Sequence, residues 1–166
     1  MNLIVMVGIS GSGKSTIAKL MENNNTVILS ADKIRETLYG NDAIQGNGDL
    51  VFNILFKQIH VAFNMGYNVI IDNTNVTREA RKYLLDIAKK YSAFPMAILI
   101  DCSVDRAMRN QEKRERKVPL EVVQRQYNRL QESKADLQKE FPFVTMALYD
   151  WECHFGVLRL CENDHI

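Results

Sequence analysis

The chain has 166 residues and a formal net charge of +1, with 46% apolar and 25% charged residues. These values are typical of a folded globular protein and exclude disordered, fibrous and membrane classes, so they predict one domain spanning residues 1–166. The near-zero charge also excludes a protein that coats nucleic acid non-specifically, and a polyanion site would have to come from a local patch.

Apolar runs typical of strands alternate with helical patterns along the chain. The predicted strands are residues 3–7, 27–29, 69–71, 96–100 and about 144–148. The predicted helices are 14–21, a short one after residue 30, 49–65, 77 to about 91, 104–116 and 120–139. This alternation implies right-handed crossovers and predicts an α/β fold, with a mainly parallel sheet of about five strands and helices on both faces.

Polar residues mark where two of these helices begin. Ser30 or Asp32 can cap the short helix that carries Arg35, and Thr77 is the candidate N-cap of the helix after strand three. Residues 40–48 are rich in glycine, asparagine and aspartate, which predicts a loop.

The segment GISGSGKS, residues 8–15, fits the pattern G-x-x-x-x-G-K-S at each fixed position, between a predicted strand and a predicted helix. Such a loop allows consecutive backbone N–H groups to converge on phosphates. Lys14 would follow the β- and γ-phosphates, Ser15 would bind the Mg²⁺ that bridges them, and Thr16 would reach the α-phosphate. The predicted ATP–Mg²⁺ site is formed by Gly11, Ser12, Gly13, Lys14, Ser15 and Thr16.

A phosphate-binding loop does not by itself distinguish a kinase from an NTPase switch, so the acceptor side depends on other residues. Asp32 follows the second predicted strand, and ligands bind at the carboxyl ends of the strands in an open parallel sheet. Its carboxylate can accept a hydroxyl proton, while Arg35 can bind a substrate phosphate or hold the attacking oxygen. Alternatively, Asp32 is only the N-cap of its helix.

Polar residues also follow the third predicted strand. Asp72 occupies the position of a Walker-B-type carboxylate, which holds Mg²⁺ through water. Asn73, Thr74 and Asn75 are predicted to line the cleft and bind substrate. The alternative is a turn after the strand, which uses the same residue types.

Residues 104–119 form the densest basic stretch and are predicted to be a helical lid. Its cationic residues are Arg106, Arg109, Lys113, Arg114, Arg116 and Lys117. A basic helix is usually a solvated face. In P-loop kinases, however, the connection after strand four commonly forms a lid whose arginines close on the transferring phosphoryl group.

Four segments together resemble the kinase domain of phage-type polynucleotide 5′-hydroxyl kinases. In chain order they are GISGSGKST, SADKIRE, DNTN followed by a helix with Arg78 and Arg81, and RNQEKRERKVP. The resemblance covers about residues 3–130 and implies a P-loop NTPase/kinase fold. It also implies an ATP-dependent kinase that transfers the γ-phosphate to a 5′-OH end of RNA or DNA.

The resemblance assigns roles to matching residues. It implies that Lys14 binds the phosphates, Ser15 binds Mg²⁺ and Asp32 is the general base toward the 5′-OH. Arg35 would orient the acceptor and its neighbouring phosphate, and a lid arginine would contact the ATP phosphates.

The lid departs from the family pattern of two arginines four apart before Val-Pro. Counting back from Val118 gives Arg109 and Lys113, with Arg114 one place later. Arg109 is therefore the predicted catalytic arginine, and Arg114 is the candidate for the second contact with ATP.

Two alternatives stay open beside the polynucleotide kinase. One is a P-loop kinase of a small-molecule or nucleotide hydroxyl, and the other is an ATP-binding accessory module without a phosphoryl acceptor. The choice between RNA and DNA depends on contacts to a 2′-OH, which no motif here reports.

The cysteines and the amino-terminal residues indicate the compartment of the protein, and the resemblance indicates its partners. Cys102, Cys153 and Cys161 are scattered and odd in number, which indicates reduced thiols, and the first residues lack signal-peptide features. We therefore expect a cytoplasmic protein without a membrane anchor, and the resemblance is compatible with a phage origin. Because no phosphatase or ligase domain of the kind fused to such kinases is visible, separate repair enzymes are the expected partners.

Overall fold

The computed structural model describes residues 1–112, 116–148 and 157–159. The strands in this part of the chain are β1 (Asn2–Val7), β2 (Thr26–Leu29), β3 (Asn68–Ile71), β4 (Phe94–Leu99), β5 (Phe143–Leu148) and β6 (Val157–Arg159). The helices are α1 (Lys14–Leu20), α2 (Ala31–Tyr39), α3 (Gly48–Asn64), α4 (Arg78–Lys90), α5 (Val104–Gln111), α6 (Leu120–Ser133) and α7 (Leu137–Glu140).

The strands form one sheet in the order β2-β3-β1-β4-β5-β6. The first five strands pair in parallel, which confirms the predicted α/β fold. The last strand pairs antiparallel with β5 and was not predicted, because three residues are too short for a periodic pattern to be read. Since β1 lies between β3 and β4, the loop after β1 emerges at the middle of the sheet's carboxyl edge.

Strand β1 is buried on both faces of the sheet. Leu3, Val5 and Val7 belong to one apolar cluster, whereas Ile4 and Met6 belong to the cluster on the opposite face. This division follows from the alternation of side chains along a strand, and it is typical of parallel sheets covered by helices on both sides. The burial of β1 gives the following loop a rigid base.

The structure shows which side chains cap the amino ends of α2 and α4. Ser30 caps α2, since its hydroxyl accepts from the Lys33 amide at 3.2 Å. Asp32 lies in the first turn, so the alternative in which Asp32 is the N-cap is wrong. Thr77 accepts from the Ala80 amide at 3.3 Å, which confirms its predicted role.

Two helix ends differ from the sequence prediction. Helix α5 ends at Gln111 instead of continuing to residue 116, and α6 ends at Ser133 instead of 139, followed by a 3₁₀ turn at Lys134–Asp136. The α6 helix stops where the Ser133 hydroxyl donates to the Val76 carbonyl at 2.8 Å. Because this contact is with a distant loop, no local pattern could indicate it.

Two smaller expectations concern the membrane and the thiols. Among the described residues, no helix combines the length and apolarity that a bilayer crossing requires. Cys102 is a free, buried thiol, and burial raises its pKa above the ordinary value. Cys153 and Cys161 lie outside the described residues.

Arg81 of α4 is completely buried and connects three parts of the fold. Its Nε and Nη2 donate to the two carboxylate oxygens of Glu140 at 2.5 and 3.0 Å. Its Nη1 donates to the Asn75 carbonyl at 3.1 Å and to the Ser133 hydroxyl at 3.2 Å. Arg81 thus ties the loop after β3 to α6 and α7 through a two-pronged ion pair.

Replacing Glu140 should therefore destabilise the protein. Glu140→Gln leaves the buried Arg81 charge without its counter-ion, and we expect the free energy of unfolding to fall by about 3 kcal/mol. Urea denaturation followed by circular dichroism measures this loss. The control is Arg78→Gln, which breaks the ion pair with Asp136 at a side chain that is 60% exposed and should cost less than about 1 kcal/mol. Equal losses of unfolding free energy in both variants would contradict the structural role of the Arg81–Glu140 ion pair.

Candidate active site

The loop between β1 and α1 has a backbone shape that requires glycine at two positions. Gly11 and Gly13 have φ angles of 85° and 102°, in the left-handed region that other residues rarely adopt. A Cβ atom at Gly11 would also overlap the carbonyl oxygen of Ala107 in α5. Helix α5 therefore packs directly against the loop, and Gly11 is needed for both the backbone angle and the space.

Lys14 begins α1 and folds back over the loop. Its ammonium donates to the Ile9 carbonyl at 2.7 Å, and the residue is only 7% exposed. The side chain nevertheless lines a cleft at the carboxyl edge of the sheet. Because a charged acceptor binds an ammonium more strongly than a neutral carbonyl, a phosphate in this cleft would compete with Ile9 for Lys14.

Two amide side chains from distant helices hold the loop in place. Gln126 of α6 accepts from the Ser10 amide at 2.8 Å, and Asn110 of α5 donates to the Gly11 carbonyl at 2.8 Å. Neither residue was predicted from the sequence. They lie 116 and 99 positions from their partners, so only the tertiary structure could reveal them.

The loop after β3 supports the other side of the site. The Thr74 carbonyl accepts from the Gly8 amide at 3.0 Å, and the Asn75 side chain donates to the Met6 carbonyl at 2.8 Å. Asn73 accepts from the Ala31 amide at 2.9 Å and so joins this loop to the start of α2. Polar residues in these positions hold β1, β3 and α2 in register at the cleft.

The cleft has a volume of about 900 Å³ and collects most of the predicted site residues. Those that line it are Gly11, Gly13, Lys14, Ser15, Asp32, Asp72, Asn73 and Thr74. Asn75 is buried beside β1, and Arg109 is exposed on α5, so neither lines the cleft. Ser12, Thr16 and Arg35 also lie outside the lining, although Arg35 contacts Asp32, which does line the cleft. Arg114 lies outside the described residues.

Asp32 is the centre of a charged cluster on the acceptor side of the cleft. Its Oδ1 is 2.9 Å from Nη1 of Arg35 and 3.2 Å from Nη1 of Arg116. Its side chain is 59% exposed, and both of these contacts are made by Oδ1. One carboxylate oxygen is thus held by two cations, whereas the other can accept a proton.

Arg116 belongs to the predicted lid but was not among the predicted site residues. Its Nη1 also lies 3.1 Å from Oδ2 of Asp42 in the loop between α2 and α3. Burial alone would lower the pKa of Arg116, but the hydrogen bonds and charges of Asp42 and Asp32 outweigh burial and raise it. Arg116 is therefore a fixed cation at the cleft. The only sequence signal for it was the basic stretch as a whole.

Comparison with known proteins gives the family. The family model described as an AAA domain matches residues 3–133, which is more than half of the chain. The chain belongs to this family. Membership confirms the predicted P-loop kinase type of domain and supports nucleotide binding by the loop after β1.

Two curated relatives match at similar identity. The chain is 26% identical over 156 residues to an L-seryl-tRNA(Sec) kinase of Methanococcus maripaludis, covering 87% of this chain and 58% of that protein. It is 27% identical over 143 residues to a putative bifunctional polynucleotide kinase/RNA ligase of Autographa californica nuclear polyhedrosis virus. This match covers 76% of this chain and 20% of the viral protein. Both relatives are kinases by name. The chain spans about three fifths of the first and one fifth of the second.

A solved structure supports the fold. The chain superimposes with a TM-score of 0.73 and 20% identity on a chain of the Pnkp1/Rnl/Hen1 RNA repair complex. The match covers 98% of this chain and 50% of the other. At this identity the likeness shows the fold alone, and it agrees with the predicted P-loop kinase architecture.

Enlarging Gly11 should disable the nucleotide loop. In Gly11→Ala the new methyl group meets Ala107 and the residue keeps an unfavourable φ, which costs about 1–3 kcal/mol unless the loop moves. We expect the Kd for ATP, measured by calorimetry, to rise about tenfold or more.

A matched glycine provides the control for this variant. Gly48 begins α3 without a positive φ, and a Cβ there would meet nothing within 4 Å. Gly48→Ala should keep the wild-type Kd and leave the stability equal or up to about 1 kcal/mol higher. An unchanged ATP affinity in Gly11→Ala would show that the loop does not bind the nucleotide in this shape.

Proposed function

We propose that the chain is an ATP-dependent kinase that transfers the γ-phosphate to a 5′-OH end of RNA or DNA. The observation that carries the proposal is a single cleft that joins the glycine-rich loop to the Asp32 cluster. The loop supplies the chemistry for binding a triphosphate, and Asp32 supplies an exposed carboxylate for activating a hydroxyl. A nucleotide switch without an acceptor has no need of the second element.

On the donor side, backbone N–H groups of Gly11 and Gly13 would bind the phosphates, and that of Ser12 would first have to leave the Ile9 carbonyl, to which it donates at 3.2 Å. Lys14 would exchange its contact with Ile9 for the β- and γ-phosphates, and Thr16 would reach the α-phosphate. These residues follow one another around the turn into α1, so they surround a phosphate chain from one side.

The donor set in the cleft also fits Mg²⁺. Ser15 supplies a hydroxyl and Asp72 a carboxylate, both lining the cleft, and oxygen ligands with water are what Mg²⁺ prefers. When bound, Mg²⁺ would neutralise phosphate charge and fix the geometry of the triphosphate. The described residues contain no cluster of three acidic, histidine or cysteine ligands.

On the acceptor side, Asp32 would take the hydroxyl proton on Oδ2 as the oxygen attacks the γ-phosphorus in line. The new O–P bond forms while the bond from the γ-phosphorus to the β,γ-bridging oxygen breaks, and ADP leaves. Arg35 would hold Asp32 and orient the acceptor, while Asn73 and Thr74 line the cleft beside them. Asn75 would act on substrate only through the loop that it supports.

The lid arginine that stabilises the transferring phosphoryl group stays a prediction. Arg109 is exposed on α5, next to the Asn110 that contacts the loop. Arg114 is the second candidate for an ATP contact. Either arginine would stabilise charge that develops in the transition state.

The polynucleotide acceptor is supported by the segments that resemble phage-type kinases and by the viral relative's name. The first relative favours a second candidate, a hydroxyl on an aminoacyl-tRNA, because it matches a larger part of this chain. Separate phosphatases or ligases are the proposed partners, since the structural neighbour comes from an RNA repair complex.

Label transfer from γ-labelled ATP distinguishes these acceptors. The purified protein is incubated in parallel with 5′-OH and 5′-phosphate oligonucleotides of RNA and DNA, with seryl-tRNA and with simple alcohols. Transfer to 5′-OH ends alone is the expected result. Transfer only to seryl-tRNA or to an alcohol would replace the acceptor, and hydrolysis without any transfer would favour the accessory ATPase.

Removing the proposed base should slow chemistry without weakening nucleotide binding. Asp32→Asn keeps the size of the side chain but cannot accept the proton, so kcat should fall about 100-fold or more while the Kd for ATP stays within about twofold. Asp86→Asn, an exposed acid on α4, is the control and should behave as wild type. Equal loss of kcat and ATP affinity would contradict the role of Asp32.

Replacing the proposed metal-binding carboxylate should change the demand for Mg²⁺. In Asp72→Asn we expect the Mg²⁺ concentration at half-maximal rate to rise about tenfold or more, because a ligand of the metal's water shell is lost. A Mg²⁺ titration at saturating ATP measures this shift. A parallel loss of rate at every Mg²⁺ concentration would instead indicate a structural role.

A further inference from the structure

Asp42 forms an ion pair that the proposed reaction does not explain. The Nη1 atom of Arg116 contacts both Asp32, at 3.2 Å, and Asp42, at 3.1 Å. Arg116 is 25% exposed and Asp42 is 38% exposed, so the pair lies at the mouth of the cleft. One guanidinium nitrogen therefore connects the proposed base with an acid from a different segment.

Asp42 is one of two points at which the loop between α2 and α3 is attached. From residue 40 to 47, every residue except Asp42 is exposed. The other attachment is Tyr39 of α2, whose hydroxyl accepts from the Asn47 amide at 3.1 Å. Gly40 and Gly46, with φ angles of 71° and 53°, lie on either side of Asp42. A segment with so few buried contacts opens at low cost in free energy. Asp42 can thus leave Arg116 without disturbing the core.

The cleft around this pair carries further cations beside its carboxylates. Lys33 and Lys117 line it together with Arg116, and both are exposed. A guanidinium binds carboxylates and phosphates through the same N–H groups, and a phosphate offers more oxygen acceptors. The position of Asp42 is consequently one that a phosphate could occupy.

We propose that Asp42 contacts Arg116 at the position of an acceptor phosphate and is displaced from Arg116 when the acceptor binds. This inference rests on the proposed function, in which the nucleotide that carries the 5′-OH also carries a phosphodiester. The phosphodiester binds Arg116 in place of Asp42, while Arg116 keeps its contact with Asp32. A neutral alcohol cannot displace Asp42, so the exchange selects acceptors with an anion beside the hydroxyl.

Binding measurements that need no phosphoryl transfer test the exchange. The probes are a 3′-fluorescein oligonucleotide with a 5′-OH and a matched one whose first linkage is an uncharged methylphosphonate. Fluorescence anisotropy gives their Kd values without ATP. In Asp42→Asn we expect the Kd of the charged probe to fall about 3- to 10-fold, with less than about twofold change for the uncharged probe.

Two further variants make the test specific. Glu36→Gln removes a carboxylate that lines the same cleft but forms no ion pair among the described residues, and it should tighten the charged probe by less than about twofold. Arg116→Gln should abolish the difference between the two probes. If Asp42→Asn and Glu36→Gln lower the Kd of the charged probe equally, the effect comes from the net charge of the cleft and not from the ion pair, which contradicts the inference.

The outcomes separate this inference from the proposed function. An unchanged Kd in Asp42→Asn, an equal gain for both probes, or no binding of either probe overturns the inference. If label reaches 5′-OH ends while Asp42→Asn shows no selective gain, only the inference fails. If selective tightening occurs but no label is transferred, the exchange at Arg116 stands and the proposed kinase activity fails.

Discussion

The loop after β1 is fixed by hydrogen bonds from three distant parts of the chain, and the whole candidate site depends on this restraint. The Gly8 amide is held by the loop after β3, the Ser10 amide by α6 and the Gly11 carbonyl by α5. Two of these contacts use backbone donors at the loop's beginning, so the shape of the following segment is set before any ligand arrives. A loop whose backbone is already in place loses little free energy to reorganisation when charge must be bound, although Lys14 still has to leave the Ile9 carbonyl.

This restraint extends inward to a buried ion pair. Arg81 binds the carbonyl of Asn75, whose side chain in turn holds β1 next to the loop. Removing a guanidinium from water is costly, and Glu140 together with Ser133 compensates for that cost. The fold therefore uses a charged group in its interior to fix one orientation of the loop after β3. An apolar side chain there would pack but could not specify that orientation.

The basic stretch of the chain divides into two parts with different environments. Arg109 stays exposed on α5, whereas Arg116 reaches the cleft after the helix has ended. The position of the chain after α5 is stabilised by Gln111, a buried residue of that helix. Its side-chain oxygen accepts from the Val118 amide at 2.7 Å. The two halves of the site are thus connected, since α5 touches the glycine loop and the segment after it touches Asp32. Movement of α5 would alter both halves together.

The sequence by itself determined the fold class, the five parallel strands and the nucleotide loop, because apolar periodicity and the glycine pattern are local properties of the chain. It also placed Asp32 and Asp72 at the carboxyl edge of the sheet, since parallel strands bring their ends together. Only the tertiary structure decided that Ser30 caps α2, that Arg116 joins Asp32, and that the end of α6 depends on Ser133. The Arg116–Asp32 and Ser133–Val76 contacts join residues that are far apart in the chain. The direction in which a long side chain such as arginine points depends on packing that no short segment encodes.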